Sequence, residues 1–179
     1  MKNWIIYGGA ALGIAFIALA IFWKTERYPI LVVNGTMIPA RDYYVYLDGF
    51  ERYREVSKDP IDVPTVKRAA LMTFVVDAIA HAELDRRGAG LLAESETDAA
   101  LAGEDRAQLE KAAQDLYGWD VATFRRFTIL PQARLNTLSA ELEKEGKQLN
   151  VWLREALLGA SVSVYGVPYE WNDGELVSK

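Results

Sequence analysis

Cysteine is absent from the chain and histidine occurs once, as His81. The first absence excludes a thiol nucleophile, a disulfide framework and any thiolate-bound metal. The second leaves imidazole chemistry to a single residue. His81 stands four positions after Asp77, and that spacing predicts a surface i,i+4 pair worth about 0.3 kcal/mol. No other ligand-type side chain recurs at metal-binding spacing around it. Glycine-rich phosphate loops and a strand–turn–helix nucleophile elbow are also missing. The expectation is a protein with no catalytic residue, no metal and no cofactor, and so not an enzyme. Positive charge is scarce as well: 20 Lys and Arg stand against 25 Asp and Glu, a formal net charge of −5. No basic stripe reaches the density of a nucleic-acid-binding surface, and that class of partner is excluded.

What the chain does have is apolar residues, 51% of its 179 positions, unevenly placed. Trp4 to Trp23 is an uncharged run of twenty residues. As a helix it would span about 30 Å, the thickness of a bilayer core. Trp4, Tyr7, Phe22 and Trp23 lie toward its ends, where amphipathic rings favour the interface. The rival reading is a cleaved signal peptide, for which Ala18-Leu19-Ala20 supplies the small-x-small pattern. Bulky Ile21, Phe22 and Trp23 continue the run past that point and favour an uncleaved anchor. Either reading carries the remaining domain out of the cytoplasm. Lys2 before the run and Lys24, Glu26 and Arg27 after it bias the orientation only weakly. Gly9 and Gly13 form a small-xxx-small pair that suits a homodimeric helix contact. The predicted organisation is a short tail (1–3), a membrane anchor (4–23) and one domain (24–179).

Beyond the anchor, Tyr28 to Val33 reads as a short strand closed by the turn signal Asn34-Gly35. Thr36 to Ile38 resumes the apolar pattern, and Pro39 can open a helix. Tyr43, Tyr46, Leu47, Phe50 and Tyr53 then recur at helical spacing to about Ser57. Asp62 is placed to cap a second helix, Val63 to Arg87, with Gly88 at its C-terminal end. Ser95 or Thr97 can start a short acidic helix, read as a solvated face, and another helix runs from about Glu104 to Leu116. Asp120 is a plausible N-cap for a long helix to about Glu145, which Pro131 should kink or split. Val151 to Leu158 is a short helix, and Ser161 to Val167 alternates like a strand. The two strand-like segments are far apart in sequence and neither is stable alone. Pairing residues near 30–34 with residues near 162–167 would satisfy both backbones. The fold class expected is mainly α with this small β pairing.

The segment LVVNGTMIPARDYYVYL resembles the opening of the SurA, PpiD and PrsA group of bacterial extracytoplasmic foldases. Those proteins begin with an apolar strand, a Val-Asn-Gly turn, an Ile and then a helix. Here the turn is Val33-Asn34-Gly35 with Ile38 after it. GLLAESETDAAL (Gly90 to Leu101) and LYGWDVATFRRF (Leu116 to Phe127) are similar to later family segments, so the likeness extends over roughly residues 28 to 145. It departs at Pro39, where the family often has a Thr or Ser cap. The family also carries a parvulin prolyl-isomerase domain, for which these residues leave no room and hold no glycine-rich, His-containing segment. The resemblance thus implies a SurA N-like helical chaperone module without an isomerase, held at the bacterial cell membrane by a single pass with its domain outside.

Aromatic side chains are the most informative remaining group. Tyr43, Tyr44, Tyr46, Phe50 and Tyr53 crowd one helix, and Trp119, Phe124 and Phe127 crowd another. Aromatics at helical spacing usually form core, but five on one helix exceed what one buried stripe needs. Tyr43, Tyr46, Phe50, Tyr53, Trp119, Phe124 and Phe127 are therefore the candidate contacts for unfolded or extended client polypeptides. The lipid bilayer is the second expected partner, through residues 4–23. The alternative is a membrane-tethered scaffold using the same fold for one specific partner.

Overall fold

A computed structural model describes residues 28–58, 62–102 and 106–179. The anchor run and its Gly9/Gly13 pair lie outside these residues. Among the described residues no helix is long and apolar enough to cross a membrane. The fold is mainly helical with small antiparallel sheets.

Strand β1 (Pro29–Val33) turns at Asn34-Gly35 into β2 (Thr36–Pro39). Asn34 and Gly35 both take positive φ, 49° and 86°, the conformation of a two-residue I′ hairpin. Pairing Leu31 with Ile38, Val32 with Met37 and Val33 with Thr36 leaves Ile30 as an irregularity before Pro29 meets Pro39. On its other side β1 pairs antiparallel with β3 (Val162–Val164), Leu31 opposite Val164 and Val33 opposite Val162. This is the pairing expected from the two isolated apolar segments. A second hairpin joins β4 (Tyr169–Asn172) and β5 (Glu175–Ser178). It was not anticipated, although Asp173-Gly174 carries the same signal as Asn34-Gly35, with φ of 45° and 87°.

Helix α1 (Ala40–Ser57) begins directly after Pro39, and α2 (Val63–Arg87) ends at Gly88 in the left-handed region. Asp62 occupies the N-cap position of α2, but its side chain accepts no hydrogen bond there. Helix α3 (Gly90–Leu101) starts earlier than Ser95 or Thr97. Gly88 reverses the chain, Ala89 N–H bonds the Leu84 carbonyl, and a new helix begins at once. Thr97 is fully buried in mid-helix, where its hydroxyl donates to the Ala93 carbonyl at 2.8 Å. Helix α4 (Arg106–Tyr117) is followed by Asp120, whose carboxylate accepts from the Thr123 N–H at 2.7 Å. That bond caps the long helix as expected, and the Thr123 hydroxyl, then this N–H, hold the Asp120 carboxyl below its ordinary value.

The long helix is α5 (Val121–Phe124), a π-helical turn (Arg125–Ile129) and α6 (Leu130–Glu143) in unbroken succession. Pro131 has no N–H to give the carbonyl four residues back, and its ring crowds that carbonyl. The helix responds by widening one turn, with Leu130 N–H reaching Arg125. Helix α7 (Leu149–Leu158) then returns the chain to β3.

Two apolar clusters result. The larger joins β1, β2, α1 and α2 with Tyr169 and Leu176 of the second hairpin. The smaller packs α2, α3 and α6 through Ala80, Leu84, Ala89, Ala93, Ala133, Leu138 and Leu142. His81 pairs with Asp85 at 3.5 Å, not with Asp77. Asp77 turns instead toward α6 and takes both its bonds from Arg134, at 2.8 and 2.7 Å. The acidic segment is largely solvent-facing, with Glu96, Asp98, Glu110 and Asp115 exposed, and Glu94 and Asp98 of α3 hold Arg125 at 2.6 and 2.9 Å.

Candidate functional site

The aromatic residues of α1 meet those after α4 in one connected stack. Gly49 makes this approach feasible. A Cβ built on it would lie 2.2 Å from the Trp119 indole, so only glycine lets that ring rest on α1. The indole N–H then donates to the Val45 carbonyl at 3.2 Å. Trp119 stacks on Tyr117 at 4.8 Å, and Tyr117 on Tyr53 at 5.2 Å. Tyr46 sits at the centre, with ring centroids 5.4 Å from Phe74, 5.9 Å from Trp119 and 5.9 Å from Phe127. Ring pairs at these separations add stabilisation beyond the area they bury. Burial raises the Tyr46 phenol above its ordinary pKa, which the Thr73 hydroxyl partly offsets. Burial raises Tyr117 likewise, with Tyr53 and Tyr46 adding to it.

The seven expected aromatics do not share one environment. Tyr43 is 1% exposed and belongs to the main core beside Tyr44. Burial, then its neighbours Tyr169, Tyr44 and Glu51, push its phenol up to about 12. Trp119 and Phe127 are also buried, at 6% and 8% exposure. Tyr46, Phe50, Tyr53 and Phe124 are half-buried. Phe124 touches Tyr117 at 5.7 Å, and Tyr53 leans on Phe50 at 6.0 Å.

The stack does not close against the strands. A cleft of about 460 Å³ opens between β2, α1, α2 and the π-helical turn. Its apolar walls come from Ile38, Tyr46, Phe74, Phe127, Leu130 and Pro131. Two smaller hollows of about 300 and 270 Å³ continue it, and Thr73 and Pro131 line all three. Trp119 and Phe50 reach the last of these hollows. The volume of the main cleft falls within the range of ordinary ligand pockets.

Charged pairs hold the rim. Asp77 and Arg134 bridge α2 to α6, and Asp42 bridges α1 to Arg126 of the π-helical turn. The Arg126 guanidinium also lies 5.2 Å from the Phe127 ring centre, a cation–π contact. The widened turn thus sends Phe127 inward and Arg126 across the mouth. Next door, Arg41, Asp42 and Arg126 line a further hollow of about 300 Å³. Arg41 has no ion-pair partner among the described residues.

Sequence reasoning missed Phe74, Thr73, Tyr117 and both rim pairs. Phe74 recurs every four positions with Val66, Ala70 and Ala78 along α2, a spacing that by itself marks core. The rim partners are 57 and 84 positions apart, and no local pattern announces them. No group of three or more His, Asp or Glu side chains among the described residues is placed to hold a metal ion. The arrangement offers apolar and aromatic contact within a charged frame, which suits reversible binding. Set against protein-family models, curated proteins and solved structures, the chain matches none of them.

Proposed function

We propose that this chain is a membrane-anchored, extracytoplasmic chaperone-like protein that binds unfolded or extended polypeptide segments, with no covalent step of its own. The observation that carries this reading is the open cleft beside β2. Its aromatic walls can bury apolar side chains, and the exposed Arg126 stands at its mouth. The twenty-residue apolar run before the domain supports the tether and the location. The Val33-Asn34-Gly35 strand–helix opening supports the SurA N-like reading.

The test uses the full chain in lipid nanodiscs and an unfolded client followed by light scattering. Suppression of aggregation at up to a several-fold excess of the chain is expected. Unchanged scattering would overturn the reading. A second reading is a scaffold for one fixed partner, favoured by the burial of Tyr43, Trp119 and Phe127. Suppression with several unrelated clients supports the chaperone reading, and recovery of a single stoichiometric partner without it supports the scaffold.

A further inference from the structure

The three-stranded sheet has the order β2-β1-β3, so β2 is an edge. Its hydrogen-bonding pattern can be read from β1. Ile30 accepts from Tyr165 N–H at 2.9 Å and Asn34 donates to the Ser161 carbonyl at 2.8 Å, so the even-numbered positions of this strand bond toward β3. Backbone groups along a strand alternate in direction, so Leu31 and Val33 bond toward β2, to Ile38 and Thr36. Met37 lies opposite Val32 and is left out of the ladder. Its N–H and C=O both point away from the sheet. Exposed strand edges of this kind are templates for another strand. Met37 is 68% exposed, and only Pro39, which has no N–H, blunts the end of the strand.

This edge is one wall of the cleft, since Met37, Ile38 and Pro39 all line it. A strand added there would run about 4.8 Å from β2 and exchange a pair of hydrogen bonds with Met37. Its side chains would alternate, every second one facing the way Ile38 does, into the cleft. Within the cleft the charges pair off, Arg126 with Asp42 and Arg134 with Asp77, and Arg41, which lines the adjoining hollow, is left as one positive charge beside it. A complementary segment therefore carries a carboxylate beside its apolar alternation.

We infer that clients bind by strand addition to the free edge of β2, as extended segments with apolar residues at every second position and an acidic residue next to them. This rests on the client-binding reading of the same cleft and specifies how the client is held. An amphipathic helix laid in the cleft would use the same walls but not the Met37 backbone.

The experiment measures binding of a fluorescein-labelled peptide, acetyl-Glu-Val-Thr-Val-Thr-Val-amide, to the full chain in nanodiscs by fluorescence anisotropy. Two analogues carry N-methyl groups on one or the other alternate set of amides. One set is expected to weaken binding about tenfold while the other is tolerated, because only one set faces the edge. Met37→Pro removes the outward N–H without taking a bond from β1 and should also weaken the parent peptide about tenfold. Met37→Ala keeps the N–H and should weaken binding clearly less than Met37→Pro does. Equal binding by both methylated peptides, with native affinity in Met37→Pro, overturns strand addition. If aggregation is suppressed at the same time, the client-binding reading stands without it. Absence of both peptide binding and aggregation suppression overturns both. Should Met37→Pro fail to fold, the methylated peptides on the native chain decide alone.

Discussion

The two apolar clusters are built from different side chains and end differently. Where α3 meets α2 and α6, the contact residues are Ala80, Ala89, Ala93 and Ala133 with three leucines between them. Alanine lets helix backbones approach toward the short end of the usual 8–10 Å range, and the interface closes. Where α1 meets α2 and the π-helical turn, the contact residues are Tyr46, Phe74, Trp119 and Phe127. Rings keep the elements apart and fill space only along their edges and faces. The cleft lies on this side, and none of the buried residues of the alanine-rich cluster lines it. Side-chain size at the contact thus separates a part of the molecule that holds it together from a part that has room for a guest.

Breaking the closed side should have the largest effect on stability. Leu138 is fully buried there. Leu138→Ala leaves a cavity that alanine neighbours cannot fill, and should cost about 2–5 kcal/mol in urea unfolding of the full chain. Client affinity per folded molecule should stay within about twofold of the native value. A loss of affinity beyond the loss of folded protein would show that the two sides are not separate.

The ring stack is the next largest. Gly49→Ala places a methyl against the Trp119 indole, which cannot rotate away without leaving Tyr46 and Tyr117. Overpacking of this kind costs about 1–3 kcal/mol. The near-ultraviolet circular dichroism of the stacked rings should weaken together with stability. Unchanged spectra and stability would mean that the stack is not seated on α1.

Altering the open side should reverse the pattern. Thr73 lines the cleft and both continuing hollows. Thr73→Arg puts a long charged side chain among them. It should weaken binding of a fluorescein-labelled unfolded client about tenfold, equivalent to about 1.4 kcal/mol. Unfolding should move by no more than about 0.5 kcal/mol, because the site is open to solvent. A large stability loss with native binding would place the client elsewhere.

These contrasts also mark what the sequence made legible. Helices α1 and α2, the stop at Gly88 and the cap at Asp120 rest on local signals, which short windows hold complete. The pairing of β1 with β3 was legible for a different reason: two short apolar segments each needed a partner, and few were on offer. The second hairpin carried an equally clear Asp173-Gly174 signal that went unused. The start of α3 misled because Ser95 and Thr97 look like caps, while the true start depends on how Gly88 and Ala89 turn the chain. The site was legible only as a set of residues. Tyr43 and Tyr46 are three positions apart on one helix, yet one is core and the other lines the cleft. What separates them is the position of Phe74 and Phe127 on other elements, and helical spacing within α1 contains no information about that.

The smallest effect expected appears only in alkali, and it tests the burial difference between those two tyrosines. The Tyr43 phenol is held at about 12 by burial, against 10.0 for the free group. Between those values the unfolded chain has released a proton that the folded chain still holds. Stability must fall as pH rises through that window, and below pH 10 the contribution is constant. At pH 11 the wild-type chain should lose roughly 1 kcal/mol through this residue. Tyr43→Phe should behave like wild type at pH 7 and resist the alkaline loss by about that amount. Tyr46 and Tyr117 are also raised by burial, so the variant removes one share of the loss and leaves the rest. Urea midpoints measured from pH 8 to pH 11.5 would show the two curves parting only above pH 10. If Tyr43→Phe tracks wild type throughout while Tyr46→Phe departs from it, the tyrosine that resists ionisation is the one in the cleft, and the core and the open face would have to be exchanged.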